Sequence, residues 1–332
     1  MKSPSDEKIA RLHDKSEKWK KIFFDVETVQ NLKNERTCPN VENLLFLDQH
    51  YVNLIHVEME CYICTENSLN EDCSKCGHRL RTYKYRMGES VDDTHKRIMK
   101  EFTSFLMAPQ QKGATVIAHN GGGYDFLFVL EELLKVLRTD DITVITNGNK
   151  LLQMKVKSQQ LRFVDSLNFL YAPLSKLPKI FDLRDNSVAI SKGFFPYYEN
   201  VPENYGKWFN SKPVKNLYGY KNMTIPQREK FDEWYQTEAN DSWGFDHDLL
   251  KYCEADVTIL RFLMPVLKKT GKAIGSELLS AGAQMATDIM NGSSIKDSVQ
   301  RQRMRAMNSL LQRGVDATEG HGAENANERS LH

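Results

Sequence analysis

The chain has 332 residues, with 45 Lys and Arg against 44 Asp and Glu, giving a formal net charge of +1 at neutral pH. Hydrophobic residues make up 40% and charged residues 27%. That is enough apolar material for a sizeable core, and the balance excludes a protein that holds nucleic acid by bulk positive charge. No apolar run approaches the ~20 residues of a membrane helix. The N-terminal stretch MKSPSDEKIARLHDKSEKWKK lacks a hydrophobic centre, so the reading is an intracellular protein, not secreted and without a membrane partner, with nucleus, cytoplasm or virion left open. Four of the six cysteines fall within residues 61–76, which suggests a metal before it suggests disulfides.

In chain order, residues 1–20 are charged and read as a loose arm. KIFFDVET (21–28) has the aromatic richness of a buried strand. Residues 44–59 read as two strands around Asp48, Gln49 and His50. The cysteine cluster follows, and HRLRTYKYR (78–86) is the returning strand of a hairpin insertion over 54–86. Residues 94–107 have amphipathic helical spacing. ATVIAHN (114–120) is a compact strand, and YDFLFVLEELLKVL (124–137) a strongly apolar helix after three glycines. Three short strands are expected at 142–146, 151–156 and 161–164, a loop at 202–224, and helices at 226–239 and 249–268. This alternation predicts an α/β domain with a mixed sheet over residues 21–268. Beyond about Lys269 the pattern changes to a small-residue helix, a basic amphipathic stretch and a disordered end, so 269–332 reads as a separate tail.

Three short motifs carry carboxylates. Asp25 and Glu27 lie two apart on a strand and project from one face, with Ile22, Phe24 and Val26 on the other. Such a pair is either a solvated strand end or repels until a cation sits between. Asn120-Gly-Gly-Gly-Tyr124-Asp125 joins a strand to a helix and places Asp125 at the helix N-terminus. There it is either a cap or a functional acid. The glycines would let a backbone or nucleotide approach closely, and no GK[ST] follows to make a phosphate loop. Tyr252-Cys-Glu-Ala-Asp256 puts Tyr252 and Asp256 one turn apart on the core-facing side of a helix, where an Asp needs a partner; Glu254 reads as solvated.

Together, DxE, Nx3YD and YxxxD, in this order and on these elements, resemble the three exonuclease motifs of ribonuclease H-fold (DnaQ-like) 3′–5′ exonucleases, with the YxxxD form of the family B DNA polymerases. Asp165-Ser166-Leu167-Asn168-Phe169-Leu170 is similar to the (S/T)Lx2h motif of the protein-primed branch, where Ser166 and Leu167 would contact single-stranded DNA. Lys192-Gly-Phe-Phe195 is similar to the Kx2h motif of the same branch, whose lysine faces the scissile phosphate; the alternative for Lys192 is an exposed loop lysine. The resemblance covers roughly residues 20–265 and points to the protein-primed polymerases of viruses, linear plasmids and Maverick/Polinton elements.

That resemblance implies a ribonuclease H-like fold and two divalent ions, Mg2+ or Mn2+, on Asp25, Glu27, Asp125 and Asp256. Such a pair clamps the attacking and leaving oxygens while water hydrolyses the terminal phosphodiester. Tyr252 would orient the water and Lys192 offset the phosphate charge. Asn120, Tyr124, Ser166 and Leu167 would position the 3′ end, with Tyr124 able to stack on a base. The implied reaction is proofreading hydrolysis of single-stranded or mispaired DNA ends. Its partners are a single-stranded 3′ end, with a terminal protein or a polymerase domain on another chain as further candidates.

Cys61-x2-Cys64 and Cys73-x2-Cys76, eight residues apart, have the spacing of a zinc ribbon or double knuckle. Four cysteines leave zinc no open position, so the expected site is structural; His78 is a substitute ligand, and disulfides or free thiols are the alternatives. Arg79, Arg81, Lys84 and Arg86 would either grip DNA or form a solvated hairpin face. The 76 residues after Asp256 contain no DxxSLYP-like or YxDTD-like segment, so this chain alone is not expected to polymerise. A truncated element copy or a join of two fragments fits the change near Lys269. A non-catalytic DNA-binding module and an inactive remnant stand as the alternatives to an active exonuclease.

Overall fold

The computed structural model describes residues 19–29, 50–148, 150–168, 170, 172–185, 188–237 and 242–263. The expectations for residues 1–18, for a first strand near 44–47 and for the tail from 269 lie outside the described residues. The chain divides into two compact units, Met1–Ser166 with Lys192–Val257, and Leu167–Ser191 with Thr258–His332. The first carries the α/β architecture.

Its sheet has seven strands: β1 (Lys20–Val29), β2 (Tyr51–Cys61), β3 (Leu80–Lys84), β4 (Thr115–Ala118), β5 (Ile142–Asn147), β6 (Lys150–Val156) and β7 (Leu161–Asp165). Their order is β3-β2-β1-β4-β7-β6-β5. The β1–β4 and β4–β7 pairings are parallel and the other four antiparallel, so the sheet is mixed. β1 is central, which explains its run of apolar residues: Ile22, Phe23 and Phe24 are all fully buried.

Helix α1 (Val91–Leu106) begins three residues before the expected 94, because the Ser90 hydroxyl accepts from the Asp93 amide at 3.1 Å and Asp92 and Asp93 fill the first turn. Ile98, Met99 and Phe102 from α1, and Phe126, Val129 and Leu133 from α2 (Asp125–Val136), pack with Ile22, Phe24 and Val26 in the main core. Two further helices follow, α3 (Ile225–Thr237) and α4 (described over residues 245–263, to Val257 within this unit). α4 starts four residues earlier than 249; Asp248 reaches back to accept from the Gly244 amide at 3.0 Å and closes the first turn. A second core of Leu54, Tyr85, Phe195, Trp243, Phe245, Leu249 and Cys253 seats α4. The alternation along β1 therefore decides the site: its even residues face the main core, and its odd residues Asp25 and Glu27 face Cys253 of α4.

The second unit holds a helical turn, Leu177–Ile180, and a pair of two-residue strands, Arg184–Asp185 and Val188–Ala189. No helix among the described residues is long and apolar enough to cross a membrane.

Candidate active site

Four acids converge in the first unit. Asp25 and Glu27 stand on β1, Asp125 opens α2 and Asp256 lies in α4. Asp125 is a buried side chain rather than a solvated cap, and its Oδ1 accepts from the Val26 amide at 3.1 Å, tying the start of α2 to the strand between the other two acids. Asp256 is 6% exposed; its Oδ2 takes the Lys192 ammonium, and its Oδ1 is buried with no hydrogen-bond partner. Lys192 also sits 4.2 Å from the centre of the Tyr252 ring. The apolar member of its motif, Phe195, is buried against Trp243, Phe245 and Tyr252, which anchors the loop carrying the lysine.

The electrostatics follow from that crowding. Burial, then the charges of Asp256, Asp125 and Glu27, push the Asp25 carboxyl well above the ordinary carboxylate range. Burial pushes Glu27 up to about 8, with Lys192 opposing and Asp256 and Asp125 adding to the rise. Asp125 is pushed up to about 7, chiefly by burial, against backbone amides that hold it down. Burial raises Asp256 too, and Lys192 opposes it. Burial keeps the Tyr252 hydroxyl protonated, so it remains a donor. Two buried acids, Asp125 and Asp256, and two half-buried ones, Asp25 and Glu27, with one ammonium among them and a carboxylate oxygen lacking any donor, form a site deficient in positive charge. The ligand atoms that already lie within 4.8 Å of one another are those of Asp25, Glu27 and the Cys253 thiol. With Asp125 and Asp256 the donors are predominantly carboxylate oxygens, which fit hard divalent cations, and Asp25, Glu27, Asp125 and Asp256 are the residues that would hold them.

Sequence reasoning passed over several members of the site. Cys253, one residue past Tyr252 and one turn before Val257, directs its thiol to the Asp25 carbonyl (3.5 Å) and Oδ2 (3.6 Å). Its i,i+3 spacing to Asp256 was the available signal. The Tyr124 hydroxyl is held by Thr28 Oγ1 and His50 Nδ1, each at 2.6 Å, and its ring meets Phe128 edge-on. Asn120 is exposed in the left-handed conformation at φ 62°. Ser166 is fully buried, with its Oγ 2.9 Å from His119 Nδ1 and 3.2 Å from the Ala118 carbonyl, so its hydroxyl is occupied inside the protein. Leu167 is half-buried and belongs to the second unit. The glycine triplet serves packing: a Cβ on Gly121 would lie 2.8 Å from that of Ala118, and one on Gly122 would lie 2.0 Å from the Leu151 carbonyl oxygen.

The four cysteines form a second cluster. Cys61 and Cys64 sulfurs are 3.7 Å apart, Cys61 and Cys73 3.7 Å, and Cys64 and Cys76 3.8 Å, and all four lie within 4.8 Å of one another. Backbone amides of Cys61, Ile63 and Lys75 donate to Cys64, Cys61 and Cys73 sulfurs. His78 is not part of it; its ring turns to Asp72 at the exposed surface, 3.1 Å away. Of the basic hairpin residues, Arg79 is withdrawn from the solvated face, while Arg81 and Arg86 lie toward α1. Arg79 is 1% exposed and donates to the carbonyls of Met59, Asn67 and Ser68, Arg81 lies over the Phe105 ring, and Arg86 pairs with Glu101. Those carbonyls belong to the end of β2 and to the loop between the two CxxC turns, so Arg79 ties that loop to the strand.

Residues 106–285, more than half of the chain, match the sequence family described as DNA polymerase type B, organellar and viral. The chain belongs to the organellar and viral type B DNA polymerases. Its relatives include a probable DNA polymerase of Ascobolus immersus, 23% identical over 227 residues that make up 64% of this chain and 17% of that protein. Another, a probable DNA polymerase of Neurospora intermedia, is 29% identical over 174 residues, 49% of this chain and 17% of the relative. The chain thus spans about a sixth of the length of these type B polymerases. Phi29 DNA polymerase complexed with single-stranded DNA is a structural neighbour at 14% identity and a TM-score of 0.39, covering 76% of this chain and 32% of that one.

Proposed function

We propose that this chain is the 3′–5′ exonuclease portion of a protein-primed type B DNA polymerase, with a ribonuclease H-like fold, and that it removes nucleotides from single-stranded or mispaired DNA ends during replication. The observation that carries the reading is the convergence of Asp25, Glu27, Asp125 and Asp256 from three separated stretches of sequence onto one partly buried, cation-deficient centre with Lys192 and Tyr252 beside it. Mg2+ or Mn2+ bound by the four acids would supply Lewis acidity toward the attacking water and the leaving oxygen.

The chain's own residues do the rest. Lys192, held by Asp256 and the Tyr252 ring, lies within reach of a phosphate placed on the acids and offsets its developing charge. Tyr252 donates its hydroxyl proton in a hydrogen bond that orients the water. Cys253 and the Val26 amide fix the carboxylates of Asp25 and Asp125. Tyr124 and the exposed Asn120 receive the strand near its 3′ end, while Ser166 acts from below by holding His119 in place. Cys61, Cys64, Cys73 and Cys76 hold a structural zinc, because the observed sulfur separations match the ~3.8 Å edge of a tetrahedron with Zn–S bonds of about 2.3 Å. A terminal protein and a polymerase domain supplied by further sequence are the partners such a module would serve.

The test is digestion of a 3′-labelled single-stranded oligonucleotide with and without Mg2+ or Mn2+, with an Asp25→Ala/Glu27→Ala double variant alongside. Metal-dependent release of mononucleotides, lost in the variant, is expected. A folded chain that releases none in either metal refutes the exonuclease.

A further inference from the structure

Beside the cysteine cluster lie two buried cations that zinc ligation alone does not require. Lys20 opens β1 and is 5% exposed; its ammonium donates to the Gln110 carbonyl at 2.9 Å and to Gln111 Oε1 at 3.0 Å, both neutral acceptors. Arg79 is 1% exposed, and its guanidinium donates to three carbonyls, Met59 at 3.1 Å, Asn67 at 3.1 Å and Ser68 at 2.7 Å. Neither has a carboxylate within ion-pair distance among the described residues. A cation taken out of water onto neutral acceptors only is strongly unfavourable, so each needs an anion nearby.

The cysteine cluster adjoins both. Lys20 is the cross-strand partner of Cys61 in the β1–β2 ladder; burial, with Lys75 adding to it, lowers the pKa of its ammonium, and the charges of Cys76, Cys61 and Cys73 oppose that loss. Arg79 stands three residues past Cys76 and holds the carbonyls of Asn67 and Ser68 in the loop that leaves Cys64; burial raises the Cys64 thiol, and the Arg79 charge opposes that rise. Four neutral thiols, or two disulfides, would leave both cations uncompensated. Four thiolates around one divalent ion carry a net charge of −2, which two buried cations balance. The three backbone amides that donate to sulfur act in the same direction.

We propose that Lys20 and Arg79 are the counter-charges of the four-cysteine centre, holding it as a dianionic zinc tetrathiolate and setting its affinity for the metal. They touch neither zinc nor DNA; they act through the sulfurs. The proposal rests on the zinc reading above. It adds that β1, the strand carrying Asp25 and Glu27, is joined to the zinc centre by charge as well as by its ladder to β2.

The experiment uses the full chain and reads zinc directly. Wild type is expected to retain one zinc, measured by metal analysis, and its affinity is fixed by competition with a chromogenic chelator. Lys20→Met, checked for folding by circular dichroism, is expected to bind zinc about 10–100-fold more weakly, the usual effect of losing a group that supports metal ligands. Lys20→Arg is expected to restore the wild-type affinity to within a few-fold. Cobalt-loaded protein should show tetrahedral four-sulfur absorption in all three. A folded Lys20→Met with unchanged zinc affinity, whatever its melting temperature, overturns the counter-charge. Wild type that holds no zinc overturns the zinc reading itself, so the two failures are distinct. If Lys20→Met does not fold, Arg79→Lys and Arg79→Gln replace it: both lose carbonyl contacts, but one keeps the charge. Weaker zinc binding in Arg79→Gln than in Arg79→Lys supports the proposal, and equal binding in the two overturns it.

Discussion

The β1–β2 ladder carries two clusters of metal-ligating side chains built on opposite principles. At one end Lys20 pairs with Cys61, and four sulfurs already stand at tetrahedral separations with two buried cations beside them. Five residues along, about 17 Å at strand rise, Asp25 pairs with His56, and four acids crowd together with Lys192 as the ammonium that offsets them. The sulfur centre is closed, shaped and charge-compensated, which is how a structural site looks. The carboxylate centre is frustrated: burial and mutual repulsion raise its proton affinities, and Asp256 keeps an unpartnered oxygen. Unrelieved electrostatics of that kind mark places where a chain holds chemistry at the expense of stability.

The contrast can be broken most sharply by changes of opposite sign. Asp25→Asn removes a carboxyl whose charged form burial and the neighbouring acids disfavour, so the metal-free protein should melt at a higher temperature. Exonuclease rate should meanwhile fall by a factor on the order of 10³ or more, since a charge-stabilising group is lost at the reacting phosphate. Calorimetry and oligonucleotide digestion on the same preparation check this, and a lower melting temperature would show that the acids are not strained. Cys73→Ala should do the reverse. Loss of a zinc ligand should destabilise the fold by about 3 kcal/mol or more and lower the melting temperature by roughly 10 °C. Any folded population should keep its exonuclease chemistry. Metal analysis with differential scanning fluorimetry reads the outcome.

A smaller effect concerns how Asp125 is delivered. Gly122→Ala drives a Cβ to 2.0 Å from the backbone oxygen of Leu151, which has nowhere to move inside the sheet, whereas the nearest contact at Gly123 is the exposed Asn120 side chain at 3.2 Å. Gly122→Ala should therefore destabilise by about 2–3 kcal/mol and loosen the start of α2. Gly123→Ala should change stability by less than about 1 kcal/mol. Comparable losses in urea denaturation would mean that the triplet is needed for its flexibility instead of its packing.

Much of this was legible in the sequence, and the reasons divide by physics. Periodicity placed β1, β2, α1 and α2 to within a few residues, because burial dictates which faces must be apolar. The carboxylates were legible because two-residue and four-residue spacings force side chains onto one face of a strand or helix. Contacts between distant segments were not. Nothing local indicates that the Tyr124 hydroxyl meets Thr28 and His50, or that the Ser166 hydroxyl turns inward to His119. Arg79 and Lys20 read as ordinary surface charges by composition, and only tertiary burial beside sulfur gives them a role. His78 illustrates the converse: a potential ligand in sequence, it is turned away by the tight knuckle after Cys76.

A pH-dependent effect lies beside the carboxylate centre, at His56, the cross-strand partner of Asp25. Its side chain is 3% exposed, and burial lowers its pKa from 6.5 to about 4. The folded state thus holds the ring neutral while the unfolded chain protonates it at ordinary pH values. Above about pH 6.5 neither state binds the proton and stability is unaffected. Between there and pH 4 the unfolded chain binds more protons, so stability falls as pH drops, by roughly 1–3 kcal/mol in total. Glu58 and Glu254, each 4.0 Å from the ring, lean toward the smaller figure, because an imidazolium there would find partial compensation. His56→Asn should flatten this part of the pH–stability curve while leaving zinc content unchanged, which chemical denaturation at pH 7 and pH 5 will read. An unflattened curve would assign the acid sensitivity to the cysteine centre instead, where protons compete with zinc for the same sulfurs.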